Sequence, residues 1–202
     1  MTNTSDPQNS RGRRTRAALL NAIAEIVEAD GFDALTMGEV AKRAGVSRRA
    51  VYLHFANRPD LIPALHDHVV EELGLVDSLE HVWNAANGPE ALREWAYHLA
   101  RVHTNVLEVD RAVRYSQQSD PVVRQYRLDT AERQLDNCRF IIGMLADEGN
   151  LSPEWTVEDA VDMLWSLVST DMMDALINER NWDSDKFGVK LAFMLERTFL
   201  NG

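Results

Sequence analysis

Apolar residues recur every three or four positions along almost the whole chain, which is the period of an amphipathic α-helix. The first such stretch predicts a helix over residues 13–30 that ends at Gly31. Its buried side carries Leu20, Ile23 and Val27. No segment shows the strict alternation of a half-buried strand. The pattern therefore predicts an all-α protein of about nine helices.

Two short helices are predicted within residues 36–55. Thr36 and Glu39 have the spacing of a capping box, which marks the start of the first of them. Gly45 allows a tight turn, and Ser47 can cap the second. Two short helices joined by a glycine turn form a helix-turn-helix. They are too short to be stable alone, so the first helix of the chain must cover them.

The outward face of the second short helix has the chemistry of a DNA contact. The N-terminal residues of a recognition helix reach base edges in the major groove, where arginine can bond guanine through two hydrogen bonds. Hydroxyl, phenol, imidazole and guanidinium groups nearby suit phosphate oxygens. The alternative is an αα-hairpin whose two arginines are merely solvated. The residues predicted to contact DNA here are Thr36, Ser47, Arg48, Arg49, Ala50, Tyr52, His54 and Arg58.

Charge is distributed unevenly along the chain, whose formal net charge is -11. Residues 1–58 carry nine Lys/Arg and six Asp/Glu, whereas the remainder carries twelve and twenty-six. A basic end and an acidic remainder fit a protein that presents one end to DNA phosphates. Residues 1–12 are predicted to be a flexible arm, and Arg13 and Arg14 to contact phosphates or the minor groove. The alternative is a solubilising tail.

Several short motifs lie within about residues 13–65. They are Gly31-Phe32, Leu35-Thr36, Val40-Ala41, Ala44-Gly45-Val46-Ser47, Tyr52-Leu53-His54-Phe55 and Arg58-Pro59-Asp60-Leu61. Together they resemble the tetracycline-repressor (TetR) family of bacterial regulators. The family usually has lysine at the position of Arg58, a change that keeps the charge but alters the geometry of a phosphate contact. The resemblance implies a homodimer that binds a palindromic DNA operator, usually as a repressor, and that a small-molecule effector releases.

Beyond a helix-turn-helix domain at residues 13–58, residues 59–202 are predicted to form a helical ligand-binding and dimerisation domain. Capping residues, glycines and prolines punctuate it regularly. The predicted helices cover about residues 59–82, 89–109, 111–117, 121–148, 153–180 and 184–200.

Five residues of this second domain are candidates for contact with an effector. Trp95, Tyr126 and Trp165 could stack on an aromatic ligand, although aromatic residues at helical spacing also fill ordinary cores. His103 lies on an apolar stripe and could be a ligand contact or a core group. Asp171 lies inside an apolar run, where an unpaired buried carboxylate is costly. It could meet a cationic ligand, an arginine or a dimer interface.

The last two long helices, from Pro153 and up to Leu200, are apolar on more than one side. Excess apolar surface of this kind is what a symmetric dimer buries, and the TetR resemblance implies a four-helix interface there. The alternative is the core of a monomer. The residues expected to pair are Leu164, Leu167, Val168, Met172 and Leu176 with Phe187, Leu191, Leu195 and Phe199.

Several other classes of function find no support in the sequence. It contains no defensible nucleophile elbow, phosphate loop or paired catalytic acids, so we expect neither an enzyme nor a cofactor. The histidine spacings do not suit a metal site, and Cys138 is a single cysteine. No segment suits a signal peptide or a membrane span, so we expect a cytoplasmic protein. An activator and, less favoured, a helical adaptor remain alternatives to a repressor.

Overall fold

Helices make up almost all of the chain in the computed structural model, which describes residues 7–72, 75–118 and 120–201. Over these residues Leu151 and Leu200 form an isolated β-bridge and no strand occurs, so the all-α prediction is confirmed. No helix in this part of the chain has both the length and the apolar character needed to cross a membrane. The α-helices are α1 (Pro7–Asp30), α2 (Met37–Arg43), α3 (Arg48–Tyr52), α4 (Leu61–Glu72), α5 (Leu75–Trp83), α6 (Gly88–Ser116), α7 (Pro121–Asp147), α8 (Val157–Leu167), α9 (Thr170–Asp174) and α10 (Ser184–Phe199).

The chain divides into two compact units. The first contains Met1–Val69 and Arg111–Arg127, and the second contains Val70–Asp110 and Leu128–Gly202. The sequence predicts a domain boundary after residue 58. In the structure the first unit also includes most of α4 and the distant segment Arg111–Arg127. Helices α6 and α7 each contribute residues to both units.

In the first unit, α1 packs against α2, and α2 packs against α3. The apolar stripe of α1 is buried, with Leu19, Ile23 and Ile26 fully enclosed. The helix begins at Pro7, earlier than the expected start near residue 13. Proline is favoured at the first helical position because it has no N–H to leave unpaired there, a signal that the polar composition of this segment hides. Arg13 and Arg14 therefore lie on a helix and are exposed.

In the second unit, one apolar core joins α5, α6, α7, α8 and α10. Cys138 on α7 is fully buried in this core, and burial raises the pKa of its thiol to about 12. The thiol is therefore neutral and serves as a small apolar group. The core also contains Val82, Leu92, Ile141, Leu164 and Leu195, all fully buried.

Several other expected helix boundaries also differ in the structure. The single helix expected over residues 59–82 corresponds to α4 and α5. Helix α6 continues through residues 109–111, where two separate helices were expected. The helix expected over residues 153–180 is instead divided into α8, α9 and a π-helical turn at Ala175–Glu179. Val168 ends α8 outside the helical conformation, with φ −103° and ψ 24°. Its carbonyl accepts a hydrogen bond from Gln134 Nε2 at 2.7 Å, which satisfies a group that the break leaves unpaired in the helix.

Candidate functional site

Both short helices of the helix-turn-helix begin at the predicted capping residues. Thr36 Oγ1 accepts a hydrogen bond from the Glu39 amide at 3.1 Å, and Ser47 Oγ accepts one from the Ala50 amide at 3.2 Å. These two predictions are confirmed. Because a hydroxyl that accepts one hydrogen bond keeps its own proton, both side chains remain able to donate to a phosphate oxygen.

The turn between α2 and α3 depends on Gly45, whose φ of 65° lies in the left-handed region that favours glycine. The chain then turns tightly enough for the Val46 amide to bond the Ala41 carbonyl at 3.0 Å. Ala41 is buried where the helices meet, and Val40 and Val51 fill the space beside it. This packing holds α3 with one face exposed.

The exposed face of α3 carries most of the side chains predicted to contact DNA. Arg48, Arg49 and Tyr52 are exposed, whereas Ala50 and His54 are partly buried. Leu53, which sequence reasoning missed, is 77% exposed directly after this helix. Its position in the sequence, between the predicted DNA contacts Tyr52 and His54, could have identified it as a further contact. An apolar side chain there suits contact with a thymine methyl group.

Other cations near the helix-turn-helix already have partners in the first unit. Lys42 pairs with Glu39 at 3.2 Å. Arg43 on α2 pairs with Asp30 of α1 at 3.2 Å, which ties the two helices together. Arg48, Arg49, Arg13 and Arg14 differ, since within the described part of the chain no carboxylate pairs with them. Their charges are thus available to an external anion.

Arg58 was expected to contact phosphate, but the structure gives its guanidinium three acceptors within the first unit. Nε donates to the Leu35 carbonyl at 2.7 Å, and Nη2 donates to the Phe32 carbonyl at 2.8 Å. Nη1 donates to the carboxylate of Asp120. Arg58 therefore joins the segment before α2 to the segment before α7, a structural role that needs no DNA.

The carboxylate of Asp120 is held in its charged form. Burial raises its pKa, but the hydrogen bonds and charge of Arg58, with the amides of Val122 and Val123, outweigh burial and lower the pKa below its ordinary value. Asp120 also caps α7, because Oδ1 accepts from the Val122 amide at 2.9 Å.

Of the five candidate effector residues, Trp95 has the most distinctive surroundings. Its ring stacks on His98 at 5.4 Å between centroids and lies 6.2 Å from Trp83. Trp83 in turn makes an edge contact with Phe140 at 5.0 Å. The Trp95 Nε1–H is buried without a hydrogen-bond partner among the described residues. Such a group is costly in a core and calls for an explanation.

None of the contacts described for Trp95 involves Trp165 or Asp171. The side chain of His103 lies outside the described residues, and Tyr126 belongs to the first unit. Trp165 is exposed, and its Nε1 donates to the Ala131 carbonyl at 3.3 Å. Asp171 is exposed in the first turn of α9, so its carboxylate does not carry the cost of burial within the apolar run. The break at Val168 changes the helical phase that would have placed it on the buried stripe.

The apolar residues expected to form a dimer interface mostly lie in the core of this chain. Leu164, Val168, Phe187, Leu191, Leu195 and Phe199 are buried in the second unit. Different apolar side chains on the same helices are exposed. They are Val157, Met163 and Trp165 on α8 and Val189 and Phe193 on α10.

Residues 19–65 match the family described as bacterial regulatory proteins of the tetR family. Over 179 residues the chain is 23% identical to the HTH-type transcriptional repressor BepR of Brucella suis biovar 1, an alignment that covers 84% of each protein.

Two solved structures share the fold. A transcriptional regulator from Saccharomonospora viridis, solved in complex with choline, has a TM-score of 0.72 and 16% identity, over 94% of this chain and 100% of that one. The second is NalD of Pseudomonas aeruginosa, described as the secondary repressor of the MexAB-OprM multidrug efflux pump. It has a TM-score of 0.68 and 22% identity, over 94% of this chain and 98% of that one. The matched family model and the helix-turn-helix geometry identify residues 19–65 as a DNA-binding domain of the tetR family of bacterial regulatory proteins, in a chain similar to known transcriptional regulators.

Proposed function

We propose that this regulator is a repressor that binds a palindromic operator as a homodimer and is released by a small-molecule effector. The observation that carries the DNA part is the exposed pair Arg48 and Arg49 at the start of α3, which no carboxylate of the described chain neutralises. Neighbouring cations such as Arg43 and Arg58 are held in internal contacts. Because its target is chromosomal DNA, we place its action in the cytoplasm.

A homodimer is supported by the exposed apolar side chains of α10. Val189 and Phe193 are four residues apart, so they lie on one face of the helix. A large exposed aromatic ring gains most from burial against another protein surface. Two-fold pairing would also present two recognition helices to DNA, which a palindromic operator requires.

Repression draws support from the relatives, because BepR is named a repressor and NalD a repressor of an efflux pump. Binding of a small-molecule effector draws support from the Saccharomonospora viridis regulator, which was solved in complex with choline. Within this chain, the unpartnered N–H of Trp95 favours an effector that offers a hydrogen-bond acceptor beside an apolar or aromatic body. Compounds that dissociate the operator complex would identify the effector. Trp95→Phe keeps an aromatic ring but removes the N–H, so it should weaken the response to such a compound.

Selection of bound duplexes from a random DNA library tests the proposal most directly. The wild-type protein should enrich a palindromic sequence, and enrichment should fall as salt rises, because binding releases counterions from the phosphates. Arg48→Ala combined with Arg49→Ala should abolish enrichment. The matched control combines Arg139→Ala with Arg180→Ala, which removes two exposed charges from the second unit. Persistent selection by the recognition-helix variant would overturn the proposed readout.

An activator of the same fold is the second candidate, because the position of an operator relative to a promoter decides the direction of the effect. A reporter gene placed behind the selected operator separates the two, since a repressor lowers its expression. A helical adaptor is disfavoured by the exposed arginines on α3, where an adaptor would more often expose apolar surface. Failure to enrich any duplex would favour the adaptor.

A further inference from the structure

The guanidinium of Arg48 lies across Gly38, the second residue of α2. A Cβ atom built on Gly38 would be 2.8 Å from Arg48 Nη2 and 3.2 Å from both Cζ and Nε. Real Cβ atoms essentially never have a contact as short as 2.8 Å, so a Cβ at position 38 would require the flexible end of the arginine to shift. The arginine therefore occupies the space that any side chain at position 38 would take.

The backbone of Gly38 does not itself require glycine. The residue lies in an ordinary α-helix, whereas the glycines with positive φ in the described chain are Gly31, Gly45 and Gly149. Glycine within a helix is less stable than alanine by about 1 kcal/mol. The structural consequence of glycine at this position is thus the room that it leaves for Arg48.

Charge attraction does not account for the position of Arg48. It is the first residue of α3 and lies over the first turn of α2, and the N-terminus of a helix carries a partial positive charge. No described carboxylate pairs with its guanidinium. The side chain is therefore directed by the shape of the surface beneath it and keeps its hydrogen-bond donors for another molecule.

We propose that Gly38 is a positioning residue that determines sequence specificity by directing the side chain of Arg48 toward one base pair of each operator half-site. The inference rests on the proposed function, because it needs α3 to read DNA. Arginine that is already directed loses less conformational freedom when it bonds the O6 and N7 atoms of guanine. A side chain at position 38 would push the guanidinium away while leaving its charge in place.

Gly38→Ala tests this inference in the full-length protein, with Gly38→Ser as a second variant. We expect each variant to fold, and Gly38→Ala to melt at the same temperature as the wild type or higher, because alanine favours the helix. In the duplex selection, the preference for one base pair in each half-site should be lost while the other positions keep theirs. Affinity for the wild-type operator should fall about tenfold.

Two controls separate positioning from a general loss of binding. Gly143→Ala adds the same methyl group to another helical glycine, where nothing lies within 4 Å of the new Cβ, and should change no preference. Arg48→Ala should lose the same base-pair preference as Gly38→Ala, and the double variant should lose no more.

Five outcomes are distinguishable. Loss of one preference in Gly38→Ala, matched by Arg48→Ala, supports the inference. Unchanged preferences in Gly38→Ala and Gly38→Ser overturn it, as does an equal loss at every position, which would indicate a structural defect. Arg48→Ala that keeps all preferences also overturns it. A wild-type protein that selects no sequence would instead count against the proposed function itself.

Discussion

Asp120 accepts a hydrogen bond from the guanidinium of Arg58, although 62 residues separate them in the chain. The same carboxylate caps the first turn of α7, and the same guanidinium bonds the carbonyls of Phe32 and Leu35. One ion pair thus connects three segments of the first unit. Its side chains are only 29% and 12% exposed for Arg58 and Asp120, so solvent screens it less than a surface pair.

Asp120→Asn should destabilise the folded protein, because Arg58 would keep its charge without a charged partner. We expect the free energy of unfolding to fall by ~2 kcal/mol, the scale for losing a partly buried charged hydrogen bond. Chemical denaturation monitored by circular dichroism measures this. Asp162→Asn is the matched control, since Asp162 is exposed on α8. Equal effects of the two variants would contradict the structural role of the pair.

The contribution of Asp120 should depend on pH in the acid range. Because its pKa is lower in the folded protein than the ordinary value near 4, the ionised form stabilises the fold above about pH 4. That stability is lost as pH falls through the lowered pKa. The difference in unfolding free energy between wild type and Asp120→Asn should therefore shrink below about pH 4. A difference in unfolding free energy that stays constant down to pH 2 would contradict a stabilising role of the ionised Asp120.

Phe193→Glu should disrupt the proposed homodimer. Phe193 is 57% exposed on α10, and a charge there would have to be desolvated against a second apolar surface. Light scattering should show a mass near the 22.9 kDa of one chain for this variant, against about twice that for the wild type. Leu128→Glu on α7 is the control, because Leu128 is similarly exposed at 52%. If Leu128→Glu dissociates the dimer and Phe193→Glu does not, the interface lies on α7 and not on α10.

Cys138 should be unreactive in the native protein. The thiol is fully buried and its pKa is about 12, so almost no thiolate exists at pH 8 and a reagent cannot reach it. Labelling with a chromogenic disulfide should be slow in buffer and rapid and stoichiometric in denaturing guanidinium. Rapid labelling under native conditions would show that this part of the core opens readily.

Local spacing predicted the features that depend on neighbours in the chain. Thr36 and Ser47 cap their helices because each hydroxyl meets an amide three residues later, a relationship visible in the sequence. Gly45 similarly marks the turn, because few residues other than glycine adopt its φ readily. The helix-turn-helix and its exposed arginines followed from these short-range rules.

Contacts between distant residues could not be predicted in the same way. Arg58 has the composition and position of a phosphate contact, and only the folded chain shows that Asp120 and two carbonyls occupy it. The exposure of Asp171 depends on the helix break at Val168, which the apolar run around it does not signal. Trp95 was identified, but its contact Trp83 lies on α5, and Trp83 in turn contacts Phe140 on α7.

The sequence by itself determined the helical architecture, the helix-turn-helix and the arginine pair that begins its second helix, because periodicity, capping and turn conformation act over a few residues. Only the tertiary structure decided which cations are already paired, which apolar faces are covered and where Arg48 is directed. These depend on groups that the fold brings together across tens of residues, as with Gly38 beneath Arg48 and Asp120 beside Arg58.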